Sequence, residues 1–473
     1  MAAHFGMIGL GTMGRNLLLN VAGHGYEVCG YDREPAQQKR LMDEAKGKNV
    51  NAAASLPEFI QSLQTPRIIM LLVPAGKIVD AVITDLLPLV QKGDIILDGG
   101  NSHFADTERR YSQLQGSGIH FIGMGVSGGE EGARVGPSLM PGGNRESYEL
   151  VKDILESVAA KSDEGACVSF IGNTAAGHYT KMVHNGIEYA MMQMISEVYG
   201  VLKYAGQFSN AELHALFSAW NKAELQSFLV EITADVFLKK DEATGKDLVD
   251  MILDKAKQKG TGMWTSQSAM DLNVPIPSID AAVTMRYLSA LKEERVHHSS
   301  LYSSGNGKSL FNKEQLAGIC KNALHFGFLL AYGQGLHLLK AASEQYNYNI
   351  SIPEVLRVWK GGCIIRSVML NDLRKAYKEN TGLSNIIASP VFQPVFSQLR
   401  NDLAGLVKSS IEYQLPSASL AASLYYFDAY IAGRLPANLI QAQRDLFGAH
   451  TYERIDKPGV FHTGWESKPI TMT

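Results

Sequence analysis

Short apolar runs and longer amphipathic stretches alternate over roughly the first third of the chain. Runs typical of buried strands lie at Phe5–Ile8, Glu27–Tyr31, Arg67–Val73, Asp94–Asp98, His120–Ile122 and Val168–Ile171. The stretches between them have the spacing of helices. Alternating strands and helices are typical of an α/β fold with a mostly parallel, doubly wound sheet. We predict that fold for residues 1–176.

From about Gly177 onward the apolar positions recur with the period of helices, and strand signals become rare. The helical spacing is clearest at Glu212–Ala219, Lys222–Phe237, Ile279–Glu294, Gln315–Tyr346 and Ser417–Ile431. This pattern predicts a large all-α domain over residues 177–435, followed by a C-terminal segment, 436–473. Phe461–Trp465 is rich in aromatic residues, so we expect this segment and tail to dock on folded protein and to contact the partner subunit.

One predicted helical stretch, Lys181–Tyr189, combines polar groups on a single face. At about 100° per residue, Lys181, His184, Asn185 and Glu188 share one side of the helix. Both flanks are apolar or small, which indicates that the helix is largely buried. Burial disfavours the charged form of a lysine, so such a lysine can accept a proton near neutral pH. The alternative is a surface helix with ordinary i,i+3 and i,i+4 pairs.

The first predicted strand leads directly into a glycine-rich turn, which a predicted helix follows. The turn reads Gly9-Leu10-Gly11-Thr12-Met13-Gly14. A G-x-G-x-x-G turn between a strand and a helix is typical of dinucleotide binding, because the helix N-terminus supplies amide donors for the pyrophosphate. We therefore predict a Rossmann-like dinucleotide-binding domain.

The second predicted strand ends at an acidic residue, Asp32, followed by Arg33 and Glu34. Dinucleotide folds place an acid about twenty residues beyond the glycines, where it accepts from the ribose 2′-hydroxyl of NAD. Asp32 and Glu34 would repel the 2′-phosphate of NADP, whereas Arg33 could neutralise it or stack on the adenine. Arg33 could also be a solvated loop charge. Both cofactors stay open.

Glycine-rich loops and isolated cations supply further candidate ligands. The loops Asp98–Ser102 and Gly125–Arg134 can expose backbone amides at a cleft, although turn chemistry alone also explains their glycines. The isolated side chains are Lys259 in a predicted loop, Arg286 in a predicted helix, and Arg444 and His450 on either side of a predicted helix end at Gly448.

Composition narrows the possible functions. The chain has 473 residues and a net charge of -3, so nucleic acid is not an expected partner. Its four cysteines have no metal-binding spacing, and we predict free thiols in a reducing compartment and no metal. The longest apolar run, Ile68–Val73, is too short for a bilayer. No leader pattern precedes the first predicted strand, and we expect a cytoplasmic protein without a membrane partner.

Together these segments resemble the decarboxylating 6-phosphogluconate dehydrogenases of the pentose phosphate pathway. The resemblance is carried by the glycine turn and by Leu97–Ser102, Val126–Arg134, Lys181–Tyr189, Gln258–Gly262 and Arg434–Asp445. It implies oxidative decarboxylation of 6-phospho-D-gluconate to D-ribulose 5-phosphate and carbon dioxide, with NADP or NAD as oxidant. It also implies a homodimer whose active site is completed by the partner subunit.

The resemblance also implies residue roles, with Lys181 as general base and Glu188 as general acid. The sugar acid would be held by Asn101, Ser127, Gly128, Gly129, His184, Asn185 and Tyr189. Its phosphate would be bound by Lys259, Arg286, Arg444 and His450, the last two from the partner subunit. The cofactor would contact Gly9, Leu10, Gly11, Thr12, Met13, Gly14, Asp32, Arg33, Glu34, Val73, Pro74, Ala75 and Asn101.

The chain departs from the family pattern in three places. The family usually has Asn-Arg followed by Ser or Thr where this chain has Asp32-Arg33-Glu34, Lys where it has Pro74, and Asn where it has Gly464. The first two departures lie on the cofactor side and leave NAD, NADP or dual use open. Two alternative functions also stay open: another β-hydroxyacid dehydrogenase acting on a smaller, unphosphorylated acid, and a non-catalytic NAD(P)-binding sensor.

Overall fold

A computed structural model of the chain describes residues 2–302, 307 and 310–465. The chain forms two compact units, one ending at Ser423 and the other beginning at Leu424. Each unit is described by itself.

The first unit begins with a sheet of eight strands that is parallel except for one pair. Its strand order is β10-β7-β6-β5-β4-β1-β2-β3, with β6 and β7 antiparallel, and β8 and β9 form a separate hairpin. This confirms the predicted mostly parallel sheet. The strands are β1 (Phe5–Ile8), β2 (Val28–Tyr31), β3 (Val50–Ala52), β4 (Ile68–Leu71), β5 (Ile95–Asp98), β6 (His120–Ser127), β7 (Ser138–Gly143), β8 (Lys161–Ser162), β9 (Gly165–Ala166) and β10 (Gly172–Asn173).

Helices cover both faces of this sheet, as a doubly wound fold requires. Successive residues of β5 face opposite sides: Leu97 belongs to a core with Leu17, and Ile96 to a core with Phe59 and Val79. This two-residue alternation gives each face its own hydrophobic layer. The helices are α1 (Thr12–Gly23), α2 (Pro35–Ala45), α3 (Leu56–Ser62), α4 (Lys77–Leu86), α5 (Phe104–Leu114), α6 (Gly129–Val135), α7 (Arg145–Glu149) and α8 (Lys152–Val158).

The sequence-based prediction was wrong at the last strand of the eight-stranded sheet and missed two other strands of that sheet. In the predicted strand Val168–Ile171 only Val168 forms a bridge, to Leu139, and pairing resumes at β10. The missed strands are β3 and β7. Proline and glycines obscured β7, but a Cβ at Gly142 would collide with the backbone nitrogen of Gly177. Glycine therefore lets the following helix start against this strand.

The remainder of the first unit is helical, which confirms the predicted all-α character of this region. Its longest helices pack against each other, and the first of them also contacts β6 and β7. A π-helical turn, Val201–Ala205, and a 3₁₀ turn, Ile386–Ala388, interrupt the series. The helices are α9 (Ala176–Gly200), α10 (Asn210–Trp220), α11 (Phe228–Val236), α12 (Leu248–Met251), α13 (Thr261–Asp271), α14 (Pro277–Ala290), α15 (Lys292–Ser299), α16 (Lys313–Gln345), α17 (Ile352–Val358), α18 (Met369–Glu379), α19 (Gln393–Glu412) and α20 (Ala418–Tyr430), which continues into the second unit.

Two predicted helices are shorter than their periodicity suggested. The stretch Lys222–Phe237 is helical only in α11, because Ser227 caps that helix by accepting from the Val230 amide and also bridges to Ser367. The stretch Ile279–Glu294 breaks at Leu291, between α14 and α15. There the Arg295 guanidinium donates to the Ser289 carbonyl at 3.1 Å, which satisfies an acceptor at the helix end.

In the second unit, helix α21 (Ala437–Gly448) is followed by a hairpin of β11 (Tyr452–Glu453) and β12 (Val460–Phe461). The predicted helix end at Gly448 is confirmed, with Ala449 in the left-handed region. Asp445 is buried and accepts from the Thr463 amide at 3.0 Å and from the Trp465 indole at 2.8 Å. The aromatic tail therefore docks on α21 of its own chain as far as Trp465.

Candidate active site

The polar face of α9 is buried, so the surface-helix alternative was wrong. Lys181 is 6% exposed, His184 0% and Asn185 9%. The helix can lie this close to the sheet because β6 carries glycine opposite it. A Cβ at Gly125 would lie 2.5 Å from the Lys181 Cβ. The small residues of β6 thus place Lys181 at the carboxyl end of the parallel strands.

Lys181, Ser127 and His184 form a compact polar cluster. The Lys181 ammonium or amine donates to Ser127 Oγ at 3.0 Å, and its Nζ lies 3.3 Å from His184 Nδ1. Ser127 Oγ also lies 3.2 Å from His184 Nε2, and Asn185 Oδ1 lies 3.2 Å from His184 Nδ1. The structure therefore brings together four of the predicted site residues around the lysine nitrogen.

Burial shifts the titration of this cluster in opposite directions for base and acid. Burial lowers the pKa of Lys181, opposed by nearby Glu188. Burial, aided by the Lys181 charge, holds the pKa of His184 well below its ordinary value. Burial raises the pKa of Glu188, opposed by Lys181 and Arg286. One helix face thus carries a lysine biased toward its neutral form and a glutamate biased toward its protonated form.

At the far end of this helix, Glu188 and Tyr189 of α9 lie near Arg286 of α14. Glu188 Oε2 lies 3.8 Å from His184 Nδ1. The Arg286 Cζ lies 3.5 Å from the centroid of the buried Tyr189 ring, a cation–π contact. The same ring packs on α13, where a Cβ at Gly262 would meet it at 2.5 Å. Lys259 is exposed in the loop just before α13.

The loop after β6 has a backbone that suits glycine. Gly128 has φ +125° and Gly129 has φ +63°, a region that side chains disfavour. A Cβ at Gly128 would lie 2.6 Å from the Gly362 carbonyl oxygen. The loop therefore rests on the segment around Gly362 and keeps Ser127 beside Lys181.

That supporting segment was missed by sequence reasoning. The Trp359 ring lies 5.7 Å from the His184 ring in an edge-on arrangement, and Cys363 Sγ donates to the Trp359 carbonyl at 3.1 Å. Both residues are fully buried. The paired glycines Gly361-Gly362 were the one available signal, since such pairs mark close backbone approaches.

A second missed residue, Arg110, ties two cofactor-side loops together. Its Nη1 donates to Asp98 Oδ2 and to Ser102 Oγ, each at 3.2 Å. Its Nη2 donates to the Gly76 carbonyl at 3.0 Å and its Nε to Asp80 Oδ1 at 2.7 Å. Arg110 and Asp98 are both buried. The loop after β5, which carries exposed Asn101, is thereby fixed to the loop before α4.

A cavity of about 530 Å³ lies at the carboxyl ends of β1, β2 and β4. The N-terminus of α1 has no side-chain cap, so its amides are free for an anion. Gly9 has φ +95°, and a Cβ at Gly14 would collide with the Gly9 carbonyl oxygen. These features fit a dinucleotide. The predicted residues that line the cavity are Gly9, Gly11, Asp32, Arg33, Glu34, Val73 and Pro74; Leu10, Thr12, Met13 and Ala75 lie in the same turns.

Arg444 and His450 are exposed in the second unit, on α21 and just after it. All four cysteines are buried and free, as predicted. Across the described ranges, no cluster of three or more His, Cys, Asp or Glu side chains could hold a metal ion. Within those ranges, too, every helix is too short or too polar to cross a membrane.

Family models cover nearly the whole chain. The NAD binding domain of 6-phosphogluconate dehydrogenase matches residues 4–172, and the 6-phosphogluconate dehydrogenase C-terminal domain matches residues 177–465. These matches include the glycine turn, the Lys181 helix and the α21 region.

Individual relatives agree over their full lengths. The NADP(+)-dependent, decarboxylating 6-phosphogluconate dehydrogenase of Bacillus subtilis is 51% identical, over 97% of this chain and 98% of the relative. The decarboxylating enzyme of Escherichia coli is 47% identical over the same shares. The Plasmodium falciparum 6-phosphogluconate dehydrogenase structure superposes with a TM-score of 0.94 at 40% identity, covering 98% of this chain and 100% of that one. The chain belongs to the 6-phosphogluconate dehydrogenase family.

Proposed function

We propose that this protein oxidises and decarboxylates 6-phospho-D-gluconate to D-ribulose 5-phosphate, with NADP or NAD as oxidant. The observation that carries the proposal is the buried Lys181–Glu188 face of α9, which offers a proton acceptor and a proton donor. Lys181 contacts Ser127 at the carboxyl end of β6, the same edge of the sheet that holds the dinucleotide cavity. The 6-phosphogluconate dehydrogenase relatives support the choice of substrate.

Oxidation starts at the C3 hydroxyl of the sugar acid. Neutral Lys181 takes the hydroxyl proton, and Ser127 and His184 hold its nitrogen in place. When bound, the nicotinamide accepts the hydride that leaves C3. The neutral imidazole matters here, because a second cation 3.3 Å away would repel the ammonium form of Lys181, which the proton transfer has to produce.

Decarboxylation follows from the β-keto acid. The C1–C2 bond breaks and carbon dioxide leaves, while the electron pair forms a C2–C3 double bond. The Lys181 ammonium donates its proton to the oxygen on C3, giving an enediol. Protonated Glu188 then donates a proton to C2, which becomes C1 of the product, as the C3 hydroxyl returns its proton to Lys181.

Two groups of cations suit the substrate phosphate. Arg286 stacks on Tyr189 and Lys259 is exposed in the loop before α13, both in the first unit, and charge-assisted bonds to a phosphate are strong. Arg444 and His450 complete the group from the partner in a homodimer. Helix α21 exposes apolar side chains, since Phe447 is 70% exposed and Leu439 61%. Exposed apolar surface is typical of protein–protein interfaces, which supports such a dimer.

The dinucleotide-binding region ends near residue 176 and the helical substrate region near 435. We place the enzyme in the cytoplasm, where its thiols stay reduced.

Product stoichiometry tests the proposed reaction. The full chain is incubated with 6-phosphogluconate and either nucleotide, and reduced nucleotide, carbon dioxide and ribulose 5-phosphate are quantified. Equimolar products are expected, with unphosphorylated gluconate turned over far more slowly. Faster turnover of gluconate would favour a different β-hydroxyacid dehydrogenase, and no turnover of any acid would favour a sensor.

Mixed dimers test the shared site. An inactive Lys181→Ala chain is combined with an Arg444→Ala chain carrying a different affinity tag, and the mixed dimer is isolated. If the sites are shared, one of the two sites in this dimer is intact. It combines Lys181 of the Arg444→Ala chain with Arg444 of the Lys181→Ala chain. Activity should therefore reappear in the mixed dimer, and its absence would contradict the arrangement.

A further inference from the structure

The cofactor cavity is lined by more acidic than basic side chains. Among the described residues that line it, Asp32, Glu34 and Asp85 are acidic, and Arg33 is the one cation. The 2′-phosphate of NADP is a dianion, whereas NAD has a neutral hydroxyl at that position. We infer that this enzyme prefers NAD over NADP and that Asp32 is the residue that determines the preference. The inference rests on the proposed function.

The Asp32 carboxylate is held rigidly at the end of β2. Its Oδ2 accepts from the Leu10 amide at 2.7 Å, within the glycine turn, and its Oδ1 accepts from the Glu34 amide at 2.9 Å. Each oxygen keeps a free lone pair, so the carboxylate can accept from both ribose hydroxyls. Moving the carboxylate away from a 2′-phosphate would break both hydrogen bonds from these backbone amides.

Arg33 is the group that could favour NADP, and it is already paired. Its Nη2 donates to Asp85 Oδ2 at 2.9 Å across the cavity. This pair is well exposed, with side chains 68% and 52% accessible, and exposed pairs contribute little. Arg33 can therefore leave Asp85 at small cost and reach a 2′-phosphate, but the fixed Asp32 carboxylate would still repel that phosphate. For this reason Asp32, and not the Arg33–Asp85 pair, sets the preference.

Equilibrium binding and turnover together test the inference. Dissociation constants of NADH and NADPH are measured on the full chain without substrate, and kcat/KM for NAD and NADP is measured with 6-phosphogluconate. NADH should bind roughly tenfold or more tightly than NADPH, as expected for one uncompensated charge contact at a partly exposed site. Tighter binding of NADPH would overturn the inference.

Three substitutions separate the contributions. Asp32→Asn removes the charge and should shift the ratio of NADH to NADPH affinity toward NADPH by roughly tenfold. Asp85→Asn should shift it by less. The control Asp43→Asn removes the same charge from α2, where Asp43 pairs with Lys39 outside the cavity, and should leave the ratio unchanged. An Asp85→Asn shift equal to that of Asp32→Asn would overturn Asp32 as the determinant.

A fourth variant covers the case in which Asp32→Asn does not fold. Pro74→Lys places a cation on the cavity wall without touching Asp32, and it should shift the ratio of NADH to NADPH affinity toward NADPH; equal effects on both nucleotides would contradict the charge argument. NADH preference without any turnover would refute the proposed function but not the cofactor inference. Turnover with NADP preferred would refute the cofactor inference but not the proposed function.

Discussion

The Nζ of Lys181 lies 3.3 Å from Nδ1 of His184, and both groups are buried. Two cations at this distance in a buried site repel strongly, so at most one of them is protonated. Since the pKa of His184 lies well below its ordinary value, the imidazole is neutral and Lys181 is the group that exchanges protons during turnover.

The pH dependence of kcat, measured at saturating substrate and nucleotide, should therefore be bell-shaped. Activity requires neutral Lys181, so it falls as the pH decreases through the lowered pKa of that lysine. It also requires protonated Glu188, so it falls as the pH increases through the raised pKa of that glutamate. Initial rates over a range of pH check both limbs. A profile that keeps rising to about pH 10, the ordinary range of lysine, would contradict this assignment.

Replacing Glu188 should separate the oxidation step from the later protonation of the enediol. Because Glu188 acts after C3 is oxidised, Glu188→Gln should still form reduced nucleotide in a first rapid turnover. Steady-state kcat should fall by roughly 10²–10⁴-fold, the usual range for a lost general acid. Stopped-flow absorbance measures both phases. Glu314→Gln, on the exposed first turn of α16, is the matched control; a lost rapid phase in Glu188→Gln alone would place that residue in the oxidation step instead.

Arg110 should stabilise the fold far more than its neighbour Arg109. Arg110→Met leaves buried Asp98 without its cation, and breaking a buried pair costs about 3–5 kcal/mol. Arg109 pairs with Asp80 at an exposed site, so Arg109→Met should cost about 0.2–1 kcal/mol. Denaturant unfolding gives both values. A weaker affinity for the nucleotide should accompany the Arg110 change, and equal losses of stability in the two variants would argue against this role.

Glu197 should make stability depend on pH. It is buried in α9 and accepts from the amides of Ser419 and Leu420 at 2.8 Å and 2.9 Å. Burial nonetheless raises its pKa to about 7. Between the ordinary pKa of 4.5 in the unfolded chain and the pKa of about 7 in the folded protein, the folded state binds more protons than the unfolded state. The stabilisation present below about pH 4.5 is therefore lost as the pH rises through 7.

Thermal unfolding between pH 5 and 8 measures this effect. The melting temperature of wild type should fall across the range, all else equal, and Glu197→Gln should flatten that part of the profile because it has no proton to lose. Glu314→Gln again serves as control. Parallel profiles for wild type and Glu197→Gln would show that Glu197 does not titrate in this window.

Local patterns in the sequence predicted the parts of the site that lie on one element. The helical period placed Lys181 and Glu188 on one face of α9, and the strand–turn–helix context identified the turn from Gly9 to Gly14. These features depend on residues close together in the chain. The roles of the individual site residues stay predictions.

Features made by distant segments were not predictable in this way. Arg110 contacts Gly76, Asp80 and Asp98, which come from two other segments, and nothing in its own neighbourhood indicates burial. The break at Leu291 likewise depends on Arg295 reaching back to a carbonyl. In each case a tertiary contact decided the outcome over local periodicity.

Rescue of turnover by small amines is the most direct test of Lys181 as the base. Lys181→Ala should lower kcat by at least roughly 10²-fold, while Lys152→Met, at an exposed position on α8, should not. Ethylamine added to Lys181→Ala should restore part of the activity, with rates that depend on the pKa of the amine used. Near-normal turnover of Lys181→Ala without any amine would contradict the assignment.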